Sequence, residues 1–276
     1  MKTLKKTTLP HWMINSLIIL LVASSCKFLE DEIPWHPKDP KNNQTCYFGP
    51  PVPVGNGQAK TFITLNREKV PTAMGIILNE KALENLPSGH EGHEGEISFE
   101  DILELPEQAA ITPFQFITLG WNPLGHDPAE VYGIPHFDLH FYTISNEERM
   151  TITPLAPDVI DPEIPLAKYL PEMYIQTPGR VPHMGVHWVD PTSPEFNGET
   201  FDKTFIYGTY KDKVIFLEPM ITLDYIKSKP ENVDTIKLPE SFQINGYYPS
   251  KYEIKYFPKK KEYHIMLTDF SLKMAD

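Results

Sequence analysis

AKTFITLN, residues 59–66, alternates apolar and polar side chains, and TAMGIILN, residues 72–79, does so less strictly. A two-residue repeat marks a strand with one buried face, and two such runs across a short polar link predict a hairpin. Asn79 is placed to cap a short helix over EKALENL, stopped by Pro87. Ser98, with Asp101 three positions on, predicts a second helix over FEDILEL before Pro106. From there the chain reads as strands between proline turns: TPFQFITLGW, PHFDLHFYTI, VPHMGVHWV, KTFIYGTY, KVIFLEPM, KYEIKYF and YHIMLTDF. TFIYGTYKDKVIFLEPM predicts a hairpin turning at Lys211-Asp212-Lys213. Helical spacing returns only in ITLDYIKS (221–228) and near Pro165–Leu170, and 28 prolines disfavour long helices. The expected fold is therefore mainly β, a single antiparallel barrel or sandwich over residues 58–272 with a few short surface helices.

Ahead of this domain the pattern changes. Lys2, Lys5 and Lys6 precede an apolar run from about Met13 to Val22, followed by small residues and Cys26. That is the layout of a secretory signal, over residues 1–25, and the run is too short for a spanning helix, which needs roughly 20 residues. Ala23-Ser24-Ser25-Cys26 resembles the bacterial lipobox, with Ala where Leu is usual, so Cys26 is the expected lipidation site and acyl chains the expected membrane anchor. The expected location is the bacterial envelope, at the outer membrane facing either the periplasm or the surface. Residues 26–57 are polar and proline-rich, the composition of a tether. Glu30, Asp31 and Glu32 just behind Cys26 are similar to surface-export signals of some lipoproteins.

Removing residues 1–25 removes three lysines and no acids, taking the formal charge from −12 to −15. Such a surface repels phosphate backbones, which argues against nucleic acid as a partner. Only Cys46 remains beside Cys26, so no internal disulfide can form and stability has to come from the core. No G-x-S-x-G elbow, P-loop, H-E-x-x-H, Rossmann glycine pattern or C-x-x-C occurs.

The chemistry is concentrated in PHFDLH (135–140) and PHMGVH (182–187), which share the outline Pro-His-x-x-x-His and hold four of the ten histidines. On a strand, His136, Asp138 and His140 share one face while Phe137, Leu139 and Phe141 share the other. The second stretch divides likewise, with His183, Gly185 and His187 together. Histidines four apart on a strand are roughly 13 Å apart, too far to hold one ion between them. If the two strands are antiparallel neighbours with Asp138 opposite Gly185, His136 meets His187 and His140 meets His183. Each pair then has an ion within reach, and Gly185 leaves room for the Asp138 carboxylate. Glu218, on the apolar strand VIFLE, is a possible further ligand because a bare carboxylate there is costly. His126, in the turn GWNPLGHDP, is another if that turn folds back, although a turn-stabilising role is the simpler expectation. SGHEGHEGE (88–96) is expected to be a solvated loop.

FITLGWNPLGHDPAEVYGIPHFDLHFY, VPHMGVHWVDPTSPEFNGETFDKTFIYGTYKDKVIFLEPMIT and INGYYPSKYEIKY resemble an uncharacterised family of bacterial envelope proteins, one member of which belongs to a sigma-E/anti-sigma-E stress regulon in a thermophile. The likeness covers about residues 58–270. Trp121, His126, His136, Asp138, His140, His183, Gly185, His187 and Glu218 match its pattern. It implies export and possible homo-oligomers, and it transfers no catalytic residue. The leading expectation is a lipid-anchored protein binding a transition metal, zinc first, with copper, iron and nickel also suited to imidazole. The alternative is a non-enzymatic module whose histidine face binds a small molecule or stabilises an oligomer.

Overall fold

The structure, a computed structural model, describes residues 44–88 and 98–276. The signal segment, Cys26, the charged part of the tether and the whole GHEGHEGE stretch (89–96) lie outside the described residues. The chain opens with β1 (Thr45–Phe48), β2 (Val52–Val54), β3 (Gly57–Leu65) and β4 (Pro71–Asn79). There follow β5 (Phe99–Glu104), β6 (Phe116–Asn122), β7 (His136–Tyr142), β8 (Ile175–Gln176), β9 (Val186–Val189), β10 (Lys203–Tyr210) and β11 (Lys213–Thr222). It closes with β12 (Glu231–Thr235), β13 (Gly246–Phe257) and β14 (Glu262–Lys273). The short helices are α1 (Ala129–Tyr132), α2 (Asn146–Arg149) and α3 (Leu223–Lys227).

The strands form two antiparallel sheets of seven. One runs β1-β3-β4-β14-β13-β12 with β2 beside β3, and the other runs β5-β6-β7-β11-β10-β9-β8. Among the described residues they stack as a sandwich, with no closed barrel. The common core is built from alternate residues: Ile63, Met74, Ile76, Ile265 and Leu267 from the first sheet meet Ile117, Leu119, Phe137, Leu139, Phe141 and Leu217 from the second. Phe137, Leu139 and Phe141 are all fully buried, each worth roughly 1.5–3 kcal/mol relative to exposure. That preference fixes which face of β7 looks inward.

Local expectations fared unevenly. The β3–β4 and β10–β11 hairpins form as expected. Asn79 accepts a hydrogen bond from the Ala82 amide at 3.0 Å, capping a 3-10 turn over Glu80–Leu83. Residues Leu223–Lys227 are helical, with the Thr222 hydroxyl as cap. FEDILEL, expected as a helix, is instead the edge strand β5, paired with β6 from Phe99↔Trp121 to Glu104↔Phe116. The open edge of β6 offers that backbone a full ladder, which outweighs a weak capping signal. The folded region also starts earlier than the tether boundary at residue 57 suggests: β1 and β2 pair with β3, and Cys46 is fully buried against Phe62, Ala73 and Met266.

Leu139 sits at the centre of the interface between the sheets. Leu139→Ala is expected to cost about 2–5 kcal/mol, read as a lowered midpoint in urea unfolding; a loss well under 1 kcal/mol would contradict the packing described.

Candidate metal centre

The face of β7 opposite the core carries His136, Asp138, His140 and Tyr142. Its neighbours are set by register: Thr118, Gly120 and Asn122 of β6 oppose His140, Asp138 and His136. On the other side Leu217 opposes Phe141 and Met220 opposes Asp138, which brings Glu218 of β11 beside His140. This face is not left to solvent. Tyr132, Phe201, Ile206 and Met220 cover one end, and Ile144, Ile152, Ile215 and Phe216 cover the other. His136, His140 and Glu218 are consequently 0, 1 and 2 % exposed.

Two groups of ligand atoms converge beneath this cover: His126, His136 and Asp138 in one, and His140, His187 and Glu218 in the other, each group within 4.8 Å. In the first, His136 Nε2 lies 3.2 Å from Asp138 Oδ1 and His126 Nε2 lies 3.4 Å from Asp138 Oδ2. The Asn122 side-chain amide donates to Asp138 Oδ2 at 2.7 Å. Both imidazoles are tied at Nδ1 to backbone carbonyls, His136 to Ile134 at 2.6 Å and His126 to Asp127 at 2.8 Å. A carbonyl only accepts, so Nδ1 carries the proton and Nε2 is the atom offered to the centre. His126 is brought there by the turn after β6, whose backbone closes through its amide onto the Tyr132 carbonyl at 3.2 Å.

In the second group, His140 Nε2 is 3.3 Å from Glu218 Oε1 and His187 Nε2 is 3.7 Å from Glu218 Oε2. Thr118 Oγ1 contacts His140 Nδ1 at 3.3 Å. The Phe216 ring packs beside both imidazoles, 4.7 Å from that of His140 and 5.4 Å from that of His187, which are 6.3 Å from each other. His187 reaches across β10 because its partner there is Gly208. A Cβ at Gly208 would lie 2.0 Å from the Phe216 ring.

The expected pairing of the two histidine stretches is wrong in detail. β7 and β9 are not neighbours, because the β10–β11 hairpin lies between them. His136 therefore does not meet His187, nor His140 His183; instead His140 and His187 meet at Glu218, a carboxylate supplied by the intervening hairpin. PHMG is not strand but a turn closed by the Gly185 amide on the Val181 carbonyl at 2.9 Å. His183 takes φ +64° there and joins neither group, and its carbonyl accepts from Arg149 Nε at 2.9 Å. Gly185 serves that turn, at φ +92° and with Thr209 O 2.3 Å from where a Cβ would sit, rather than making room for Asp138. His126, expected mainly to stabilise its turn, does so and also joins the first group. Thr118 and Asn122 were missed, although the two-residue repeat of FITLGWN puts both on one face.

Burial and charge divide the groups. Burial opposes charge on Asp138, but contacts from His126 and His136 hold it well below the usual carboxylate range. Burial likewise opposes charge on His126, yet Asp138 lifts it to about 9. Burial pushes His140 down to about 3 and His187 to about 4. Burial, reinforced by the Asp138 charge, raises Glu218 well above its ordinary value. The close approaches to Glu218 are thus contacts among neutral groups in the metal-free protein, whereas Asp138 and His126 form an ion pair.

The fit to a cation can be tested on unsatisfied atoms. Among the described residues, six buried side-chain polar atoms lack a hydrogen-bond partner, and four are His136 Nε2, Asp138 Oδ1, His140 Nε2 and Glu218 Oε2. Orphaned buried polar atoms are rare and call for an explanation, and here they are ligand atoms aimed at one another. Two imidazoles and a carboxylate form a donor set suited to zinc or another first-row ion. No protein-family profile, curated protein or solved structure matches the chain, so function has to be argued from this geometry.

Stability of the metal-free protein is expected to pass through a maximum near neutrality. Below about pH 6.5 the unfolded chain protonates His140 and His187 while the folded chain does not, so stability falls with acid, partly offset by Glu218. Above about pH 7 the folded chain still holds the His126 proton that the unfolded chain has lost, and stability falls again up to about pH 9. Each flank amounts to roughly 1–2 kcal/mol per pH unit, and urea unfolding from pH 5 to 9 reads it; a flat profile would contradict the assigned charge states. Gly208→Ala is expected to displace Phe216 and cost about 1–3 kcal/mol, with the aromatic circular dichroism changed; an unchanged spectrum and midpoint would show that the contact is unimportant.

Proposed function

We propose that this chain is an exported, lipid-anchored protein that binds a divalent transition metal, zinc foremost, through His126, His136, Asp138, His140, His187 and Glu218. One observation carries the metal reading: four orphaned, buried ligand atoms converge in two groups of matched chemistry. Satisfying these atoms with an ion would remove the cost of leaving them bare. The donor set, two nitrogens and one oxygen, is shared by zinc, iron, nickel and copper sites, so chemical analysis has to assign the element. Export and anchoring are supported by the N-terminal lysines, the short apolar run and Cys26, together with the likeness to bacterial envelope proteins.

The alternative expectation sets histidines packed against aromatic rings apart from convergent ones. Here both hold, since the same imidazoles touch Phe201 and Phe216 and still meet at carboxylates. A second reading, self-association, is favoured by exposed apolar side chains at Ile160, Ile164, Leu166, Met173 and Ile175, and it is compatible with metal binding.

Elemental analysis of the chain, purified without chelators and then reloaded with Zn²⁺, is expected to find bound metal in stoichiometric amount. The His136→Ala/His187→Ala double variant is expected to lose it while keeping the β-sheet circular dichroism. Zn²⁺ at about 100 times its Kd should stabilise the unmodified chain by about 2.7 kcal/mol. Absence of stoichiometric metal after reloading would overturn the reading.

A further inference from the structure

Resting on the metal-binding reading, we propose that the two groups are unequal halves of one two-ion centre. The Asp138 half fills first and the Glu218 half receives a second, more readily exchanged ion. Asp138 and His140 are two residues apart on the same face of β7, a separation of roughly 6.6 Å along a strand. Ions bound through them are therefore near neighbours under one cover. The two carboxylates bring at most two negative charges against the four positive charges of two divalent ions, so the first ion opposes the second.

The order follows from how each half is held. In the Asp138 half both imidazoles are locked by carbonyls at Nδ1, at 2.6 and 2.8 Å, and Asn122 fixes the carboxylate at 2.7 Å. In the Glu218 half the one polar contact described at the far side of an imidazole is Thr118 to His140, longer at 3.3 Å, and no side-chain amide is described donating to Glu218 as Asn122 does to Asp138. The ligand atoms there are also farther apart, at 3.3 and 3.7 Å against 3.2 and 3.4 Å. Preorganised ligands bind more tightly because less ordering remains to be done. Each half also has one imidazole that reaches solvent, His126 at 23 % and His187 at 18 % side-chain exposure, while the other four ligands are at 8 % or less. An ion can thus enter or leave each half at its own histidine.

Calorimetric titration of the metal-free full-length chain with Zn²⁺ is expected to show two ions per chain, with dissociation constants at least tenfold apart. Titration with Cu²⁺ followed by electron paramagnetic resonance should give an isolated signal at one equivalent and a dipole-broadened one at two. His136→Ala should remove the tight step and spare the weak one, and Glu218→Gln should do the reverse. One ion per chain, two equal steps, two ions without magnetic coupling, or variants with the opposite effects would overturn the proposal while leaving metal binding intact. No bound metal at all would overturn both. The stoichiometry and the coupling are read on the unmodified chain, so a variant that fails to fold does not remove the test.

Discussion

The two-residue alternation of β7 governs the rest of the molecule. Phe137, Leu139 and Phe141 are committed to the core between the sheets, and that commitment drives His136, Asp138 and His140 to the opposite face. Such a face is ordinarily wetted, since one side of an antiparallel sheet can meet solvent at little cost. Here a second, smaller apolar layer closes over it, built around Phe201, Tyr132 and Phe216. Polar groups trapped between two apolar layers have to satisfy one another or share an ion, because a buried charge left alone is far more costly than one that is paired.

The molecule meets this demand in two different ways. Around Asp138 the solution is ionic: a cationic His126 and an amide from Asn122 compensate the carboxylate directly. Around Glu218 it is neutralisation, with the carboxyl holding its proton and two uncharged imidazoles beside it. Burial alone would neutralise both carboxyls, so the difference lies in neighbours. Asp138 is approached by a cationic histidine and by an amide donor, whereas no amide is described donating to Glu218, and its two imidazoles are held neutral by burial. The Phe216 ring, packed against both His140 and His187, restricts their orientation, and it fits only because position 208 has no side chain.

Much of the fold was legible in the sequence because strand alternation is a local property. The two hairpins and the inward face of β7 follow from period-two reading. What failed was non-local or depended on turns. Ser98 and Asp101 mimic a helix start, yet the free edge of β6 claims that segment as a strand. PHMG looks like the opening of a strand, but positive φ at His183 and Gly185 makes it a turn, and this removes His183 from the centre. No local pattern says that the β10–β11 hairpin inserts between the histidine stretches. The cost of a buried carboxylate did single out Glu218, an energetic argument that survived where the pairing guess did not.

The β10–β11 hairpin has a consequence beyond placement. Side chains on a strand change sides with every residue, so a slip of β11 by one position against β7 would turn Glu218 into the core and bring Leu217 or Pro219 to the histidines. The ligands of the Glu218 group come from three strands, and they assemble only when both flanking ladders are correctly aligned. An ion offered to that group would meet its full ligand set only in a correctly aligned sheet, since a misaligned one has no carboxylate to offer.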